Sequence, residues 1–188
     1  MQNLNQDHSS PVSGPNSKKS LNETIHIDRK PSTVLMVIER IYNPIAEKMG
    51  ISLLLRNEID TEIQFPTKFF INLIQITGNL VANAVKFTSP NGFVDVVFTT
   101  KAADNHSTLN MTVTDTGNFL SPDLVSAFNK GKKISTLMGS NGELDFGFRL
   151  EYVLQLVSEE GGRIFINSGN EAGTKISLSL PLPNRYFN

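Results

Sequence analysis

The chain has 188 residues, 39% of them hydrophobic, and 13 glycines bring it to the composition of an ordinary globular protein, with one compact domain as the default expectation. Cysteine is absent, which excludes disulfides, catalytic thiols and zinc-cysteine sites, and the net charge of -1 lacks the basic footprint of a nucleic-acid binder. The longest aliphatic run, Val34 to Ile38, falls far short of the ~20 residues that span a bilayer, and the start has no basic-then-apolar signal pattern, so a soluble, cytoplasmic chain with no membrane insertion is expected.

From Met1 to about Asn22 the residues are Gln, Asn, Ser, Pro and Gly with almost no aliphatic side chain, the composition of a linker or tail. Pro31 to Gly50 carries Val34, Val37, Ile38, Ile41, Ile45 and Met49 at helical spacing, closed by a glycine and expected to bend at Pro44. Ile51 to Glu58 and Glu62 to Phe65 are β-rich runs, and Pro66 fits the first turn of a long second helix reaching Phe87. Gly92 to Lys101 and Thr108 to Asp115 alternate as an antiparallel pair around a polar turn at Asp104 to Ser107. Ser121 to Phe128 predicts a short helix capped by Ser121 with Pro122 at its first position. Asn129 to Asp145 has no period and is expected to be a loop of functional length. Phe146 to Glu160 then reads as helix, and Arg163 to Asn167 and Thr174 to Leu180 as strands around a turn at Gly169 to Gly173. This order suggests a two-layer α/β sandwich, helices against one mixed sheet.

On the second helix Phe69, Leu73, Ile76, Leu80, Ala84 and Phe87 follow the spacing of a core stripe. At about 100° per residue, Gln75, Asn79, Asn83 and Lys86 fall within about 80° of one another and line a neighbouring ridge with three amides and one ammonium. Such a ridge is most often solvated. Its functional alternative is that an amide oxygen ligates Mg²⁺, which shares phosphate oxygens, while the lysine neutralises phosphate.

The run Gln75-Ile-Thr-Gly-Asn79-Leu-Val-Ala-Asn83-Ala-Val-Lys86-Phe87-Thr88 resembles the N box in the ATP-binding catalytic domain of sensor histidine kinases, of the superfamily that includes DNA gyrase, a heat-shock chaperone and the MutL repair proteins. The resemblance implies a Bergerat ATP-binding fold, a mixed β-sheet covered on one face by about three helices with a flexible ATP lid. It implies that Asn83 holds Mg²⁺, that Asn79 and Lys86 act at the reacting phosphates, and that Phe87 packs by the base or ribose. Val113-Thr-Asp115-Thr-Gly117 looks like the D-x-G adenine box, in which Asp115 accepts from the adenine amino group; the usual second glycine is replaced by Phe119. Gly142-Glu-Leu-Asp145-Phe-Gly147-Phe148-Arg149-Leu150 aligns with the second glycine box, and only Gly147 of three glycines remains. Asp145 is expected at the helix cap, where its carboxylate would compete with phosphate for the free N–H groups, and Arg149 either crowds that approach or supplies a cation. Gly173-Thr174 opening the last strand resembles the family's G-T motif, with Thr174 supporting the adenine contact. Lys130, Lys132 and Lys133 fall in the segment that matches the lid.

The resemblance divides the chain into a tail (1–24), the kinase-like ATPase domain (25–184) and a short C-terminal tail (185–188). His8, His26 and His106 have no phosphoacceptor context, so the chain looks like the catalytic domain alone. The implied activity is transfer of the ATP γ-phosphoryl group to a histidine on a separate dimerisation domain that passes it to a response regulator, with ATP and Mg²⁺ as cofactors and no nucleic-acid partner. The alternative, favoured by the altered glycine boxes, is a degenerate interaction module with weak or no ATP binding. The superfamily's ATP hydrolases and anti-sigma serine kinases fit less well, because they generally carry an acidic residue where this chain has Asn79.

Overall fold

A computed structural model describes residues 27–59, 63–103, 106–132, 141–169 and 173–182. The elements run α1 (Pro31–Lys48), β1 (Ser52–Glu58), α2 (Thr67–Phe87), β2 (Phe93–Ala103), β3 (His106–Asp115), α3 (Pro122–Asn129), α4 (Asn141–Glu159), β4 (Arg163–Gly169) and β5 (Gly173–Leu182). The five strands form one sheet in the order β1-β2-β3-β5-β4. Only β1 and β2 are parallel, as the α2 crossover between them requires; the other pairs are antiparallel. This is the mixed sheet and two-layer architecture expected from the order of elements.

One face of the sheet is apolar. Val94, Val96 and Phe98 of β2, Leu109, Met111 and Val113 of β3, and Ile176, Leu178 and Leu180 of β5 are all buried, each set at alternate positions. Against them lie Val34 and Ile38 of α1, Leu73, Ile76 and Leu80 of α2, and Leu150, Val153 and Val157 of α4, so the helical core stripe read from the sequence packs as expected. Each such side chain contributes roughly 1.5–3 kcal/mol by leaving water. The residues between them on β3 and β5, such as Thr112, Thr114, Lys175 and Ser177, are only half-buried or exposed, which leaves the second face polar.

Several boundaries differ from expectation. Helix α1 continues through Pro44 and ends at Lys48, with Gly50 following at φ +69°. Glu62 to Phe65 is no strand of the sheet: Ile63 makes an isolated bridge and Phe65 is buried in the core, while Glu62 lies outside the described residues. Pro66 stands as the N-cap of α2, one residue before its first turn. The largest change is at α4, which starts at Asn141 rather than Phe146. Packing of Leu150 and Val153 on the core sustains this helix, and its first turn extends over Gly142, where composition alone reads as loop. The helices number four among the described residues, three long and one short, where about three were expected.

Candidate functional site

The C-terminal half of α2, the ends of β3 and β5 and the segment entering α3 enclose a cavity of about 390 Å³. Helix α2 supplies Leu80, Asn83, Ala84 and Phe87; β3 supplies Val113 and Asp115; β5 supplies Thr174 and Ile176. The outer wall is Asn118 to Ser121 with Leu124 of α3. Most of this lining is apolar, with a few converging polar groups, which is the composition of a small-molecule site.

Asn83 is the least conventional of those polar groups. It is 2% exposed, and neither its amide oxygen nor its amide nitrogen has a hydrogen-bond partner. Burying an unsatisfied amide costs about 1–3 kcal/mol, a cost explained when the group serves a ligand absent from the free protein. The predicted ridge is therefore not a uniform solvated stripe. Asn83 turns inward to the cavity, and half-buried Asn79 donates its Nδ2–H to the Gln75 carbonyl at 2.8 Å. Gln75 Oε1 accepts from the Tyr152 hydroxyl of α4 at 2.7 Å, and Lys86 is exposed with Nζ 5.4 Å from the Phe87 ring centroid.

Asp115 ends β3 as a 7%-exposed carboxylate, the only ionisable side chain on the lining among the described residues. Burial pushes its carboxyl up to about 6, opposed by the backbone N–H groups of Gly117 and Thr174. Gly117 donates to Asp115 Oδ1 at 2.9 Å, and Asn118 N–H donates to the Phe87 carbonyl at 3.2 Å, so this turn is pinned beneath the end of α2. The approach explains the glycine, because a Cβ on Gly117 would lie 2.5 Å from the Phe87 carbonyl oxygen. Phe119, in place of a second glycine, needs no left-handed backbone: Asn91 is the only described non-glycine residue with positive φ. Its half-exposed ring forms part of the cavity wall.

The wall is held from both ends. Ser121 caps α3, as predicted, by accepting from Leu124 N–H at 3.3 Å. Asn129 at the other end of α3 exchanges two hydrogen bonds with the backbone of Ile166 on β4, at 2.8 and 2.9 Å.

Of the sequence-predicted residues, the structure brings Asn83, Phe87, Asp115 and Thr174 together on the cavity and places Gly117 in the turn beneath it. Asn79, Lys86, Lys130, Lys132, Gly147, Phe148 and Arg149 are not on its lining. Gly147 is buried, Phe148 is 61% exposed, and Arg149 carries its charge toward Tyr42 of α1, where it opposes the upward push of burial on that phenol. Lys130 and Lys132 are exposed after α3, and Lys133 lies outside the described residues. Asp145 is not a helix cap: it is the fifth residue of α4, which begins at Asn141. Sequence reasoning missed Leu80, Ala84, Leu120 and Leu124 as lining. For Leu120 and Leu124 the available signal was the apolar residues, beginning at Phe119, that follow the Asp115 to Gly117 motif.

A buried carboxylate at a strand end and an orphaned asparagine amide thus line one apolar cavity, and residues 70–184, which hold both, match the histidine kinase-, DNA gyrase B- and HSP90-like ATPases. The chain belongs to that family. Among curated relatives of this ATPase family, the autoinducer 2 sensor kinase/phosphatase LuxQ of Vibrio vulnificus (strain YJ016) is 31% identical over 150 residues, covering 79% of this chain and 17% of LuxQ. The sensor protein GacS of Pseudomonas syringae pv. syringae is 31% identical over 113 residues, 60% of this chain and 12% of GacS. The chain thus spans under a fifth of the length of these two relatives. In fold it is similar to the nucleotide-free catalytic domain of histidine kinase ThkA, with a TM-score of 0.63 at 18% identity over 80% of this chain and 91% of that one. Full-length ShkA in complex with AMPPNP gives 0.58 at 22% identity, over 80% of this chain and 29% of ShkA. The named relatives and neighbours are sensor kinases, a sensor protein and histidine kinase domains, and nothing in these likenesses supports the degenerate interaction module. No helix among the described residues is long and apolar enough to cross a membrane.

Proposed function

We propose that this domain binds Mg·ATP in the α2–β3–β5 cavity and transfers the γ-phosphoryl group to a histidine on a separate dimerisation domain, from which a response regulator receives it, in the cytoplasm. The observation that carries the reading is the orphaned Asn83 amide on the same cavity as the buried Asp115. Asp115 is suited to accept from the adenine amino group, and the Phe87 face to cover the base or ribose. Asn83 fits Mg²⁺ as a hard oxygen donor. Mg²⁺ keeps several waters and shares phosphate oxygens, so it needs few ligands from the protein. When bound, the ion would neutralise charge on those oxygens.

Phosphoryl transfer needs positioning and charge stabilisation more than covalent chemistry from the protein. Lys86, exposed at the end of α2, can meet phosphate as a point charge, and Asn79, one turn before Asn83, can orient the reacting group. Lys130 and Lys132 after α3, with Gly147, Phe148 and Arg149 of α4, are assigned to the phosphate side, where the two lysines and the arginine can supply cations.

The test has two stages. Calorimetric titration of ATP with and without Mg²⁺ should give saturable, Mg²⁺-strengthened binding, and its absence would overturn the reading. Incubation with ATP and a histidine-bearing dimerisation domain from a sensor kinase should then give acid-labile, base-stable phosphate on that domain. Binding without transfer to any such domain would leave an ATP-binding domain and refute the kinase assignment.

A further inference from the structure

The sheet register sets Asp115, Thr174 and Ser168 side by side on β3, β5 and β4, one row beyond the apolar Val113, Ile176 and Ile166. Asp115 and Thr174 line the cavity, whereas Ser168 stands behind them. Its hydroxyl has three neighbours. Leu120 N–H donates to Ser168 Oγ at 2.9 Å, the Gly173 carbonyl oxygen lies at 3.1 Å, and Thr174 Oγ1 lies at 2.9 Å.

A hydroxyl has one proton and two lone pairs. The carbonyl can only accept, so the Ser168 proton goes to Gly173. Leu120 occupies one lone pair, and the other is satisfied when Thr174 donates. Ser168 is then saturated, and the Thr174 proton is committed to it. What Thr174 offers the cavity is lone pairs alone. Ionised Asp115 likewise offers only acceptor oxygens, one of them already taken by Gly117 N–H.

We propose that Ser168 is a specificity-determining positioning residue: by fixing the direction of the Thr174 hydroxyl it keeps this end of the cavity acceptor-only, so the site selects a purine with an amino group at C6 over one with a carbonyl there. The proposal rests on the ATP-binding reading and adds the group that sets the base preference. A ligand carbonyl would face acceptors on both sides, and unpaired buried polar groups discriminate far more strongly than lost apolar contact. The second effect of the same hydroxyl, holding Leu120 in the cavity wall, acts on any nucleotide equally.

That difference gives the experiment. ATP and ITP, which share their ribose triphosphate and differ at C6 and N1, are titrated with Mg²⁺ at pH 8 into the native chain, Ser168→Ala, Thr174→Val and the double variant. The native chain should prefer ATP, and Ser168→Ala should lower the ITP/ATP Kd ratio about tenfold, since the freed Thr174 proton can then turn to the carbonyl. Thr174→Val should lower the ratio similarly, and the double variant should match Thr174→Val alone because Ser168 acts through Thr174. Ser168→Cys, which keeps the volume but bonds weakly, is read the same way should the alanine variant unfold. Equal weakening of both nucleotides with an unchanged ratio would make Ser168 merely structural and overturn the proposal, as would independent effects in the double variant. A native chain that binds neither nucleotide would refute the ATP-binding reading itself, and the proposal with it.

Discussion

A Cβ placed on Gly173 would overlap the carbonyl oxygen of Asp115, and it would lie 2.8 Å from the carbonyl carbon behind it. The backbone at Gly173 is also left-handed, at φ +67°. Gly173, which opens β5, and Asp115, which ends β3, are thus held together by a contact that only glycine permits. Gly131 has a similar φ of +69° but nothing within 4 Å, and so separates the two effects. Gly131→Ala should cost only the left-handed penalty, about 1 kcal/mol. Gly173→Ala should cost about 3 kcal/mol or more, because the sheet must also part, and lower the melting temperature by roughly 6–12 °C. Thermal unfolding of both variants checks this, and equal shifts would refute the close-approach argument.

Asn83 carries a stability cost in the free protein that a ligand bound to its amide would remove. Asn83→Ala deletes a buried amide with no partner, so the free variant should melt at or above the native temperature, by up to about 1 kcal/mol of added stability. The same change should weaken Mg·ATP at least about tenfold while altering metal-free ATP much less. Calorimetry and melting curves on one preparation decide it. A lower melting temperature with unchanged Mg·ATP affinity would make Asn83 a structural residue.

The parts of this domain legible from sequence are those set by local pattern. Alternation in Phe93 to Lys101, the core stripe from Phe69 to Phe87, and Ser121 before Pro122 all fix an element through its neighbours in the chain. The start of α4 was not legible, because Asn141 and Gly142 have poor helix propensity and the helix is sustained by packing of residues two turns later. Within the site, Asp115 and Thr174 carry motif signatures, but Ser168 has none. Its position beside Thr174 follows from pairing between β4 and β5, and its contact with Leu120 spans 48 residues. The direction of the Asn83 side chain, inward rather than along the ridge, likewise depends on what β3 and β5 leave open beneath it.

The position of Asp145 within α4 changes what its replacement should do. Helix α4 starts at Asn141, which puts Asp145 at its fifth position, inside the helix and not at the cap. Asp145→Gly should therefore leave ATP affinity within about twofold and cost about 0.5 kcal/mol, as glycine does inside a helix. ATP titration of the variant is the check, and tenfold tighter binding would return Asp145 to the phosphate site.

Asp115 should couple stability and binding to pH in opposite directions. Its carboxyl titrates at about 6 in the folded chain against an ordinary value of 3.8, with burial as the main cause. The folded state therefore holds this proton more tightly than the unfolded state. The resulting stability is fully present below 3.8, is lost as pH rises through about 6, and is constant above that. The whole difference is on the order of 3 kcal/mol. Asp115→Asn keeps an oxygen for Gly117 N–H and does not titrate, so it should be more stable than the native chain above pH 6 and lose that advantage toward pH 4. Denaturant unfolding of both proteins across this range isolates the carboxyl, since every other group cancels. ATP affinity of the native chain should move the other way and fall below pH 6, because a protonated Asp115 no longer accepts fully from the adenine amino group. Parallel stability curves for the two proteins would show that Asp115 titrates normally, and ATP affinity flat through pH 6 would remove it from the base contact.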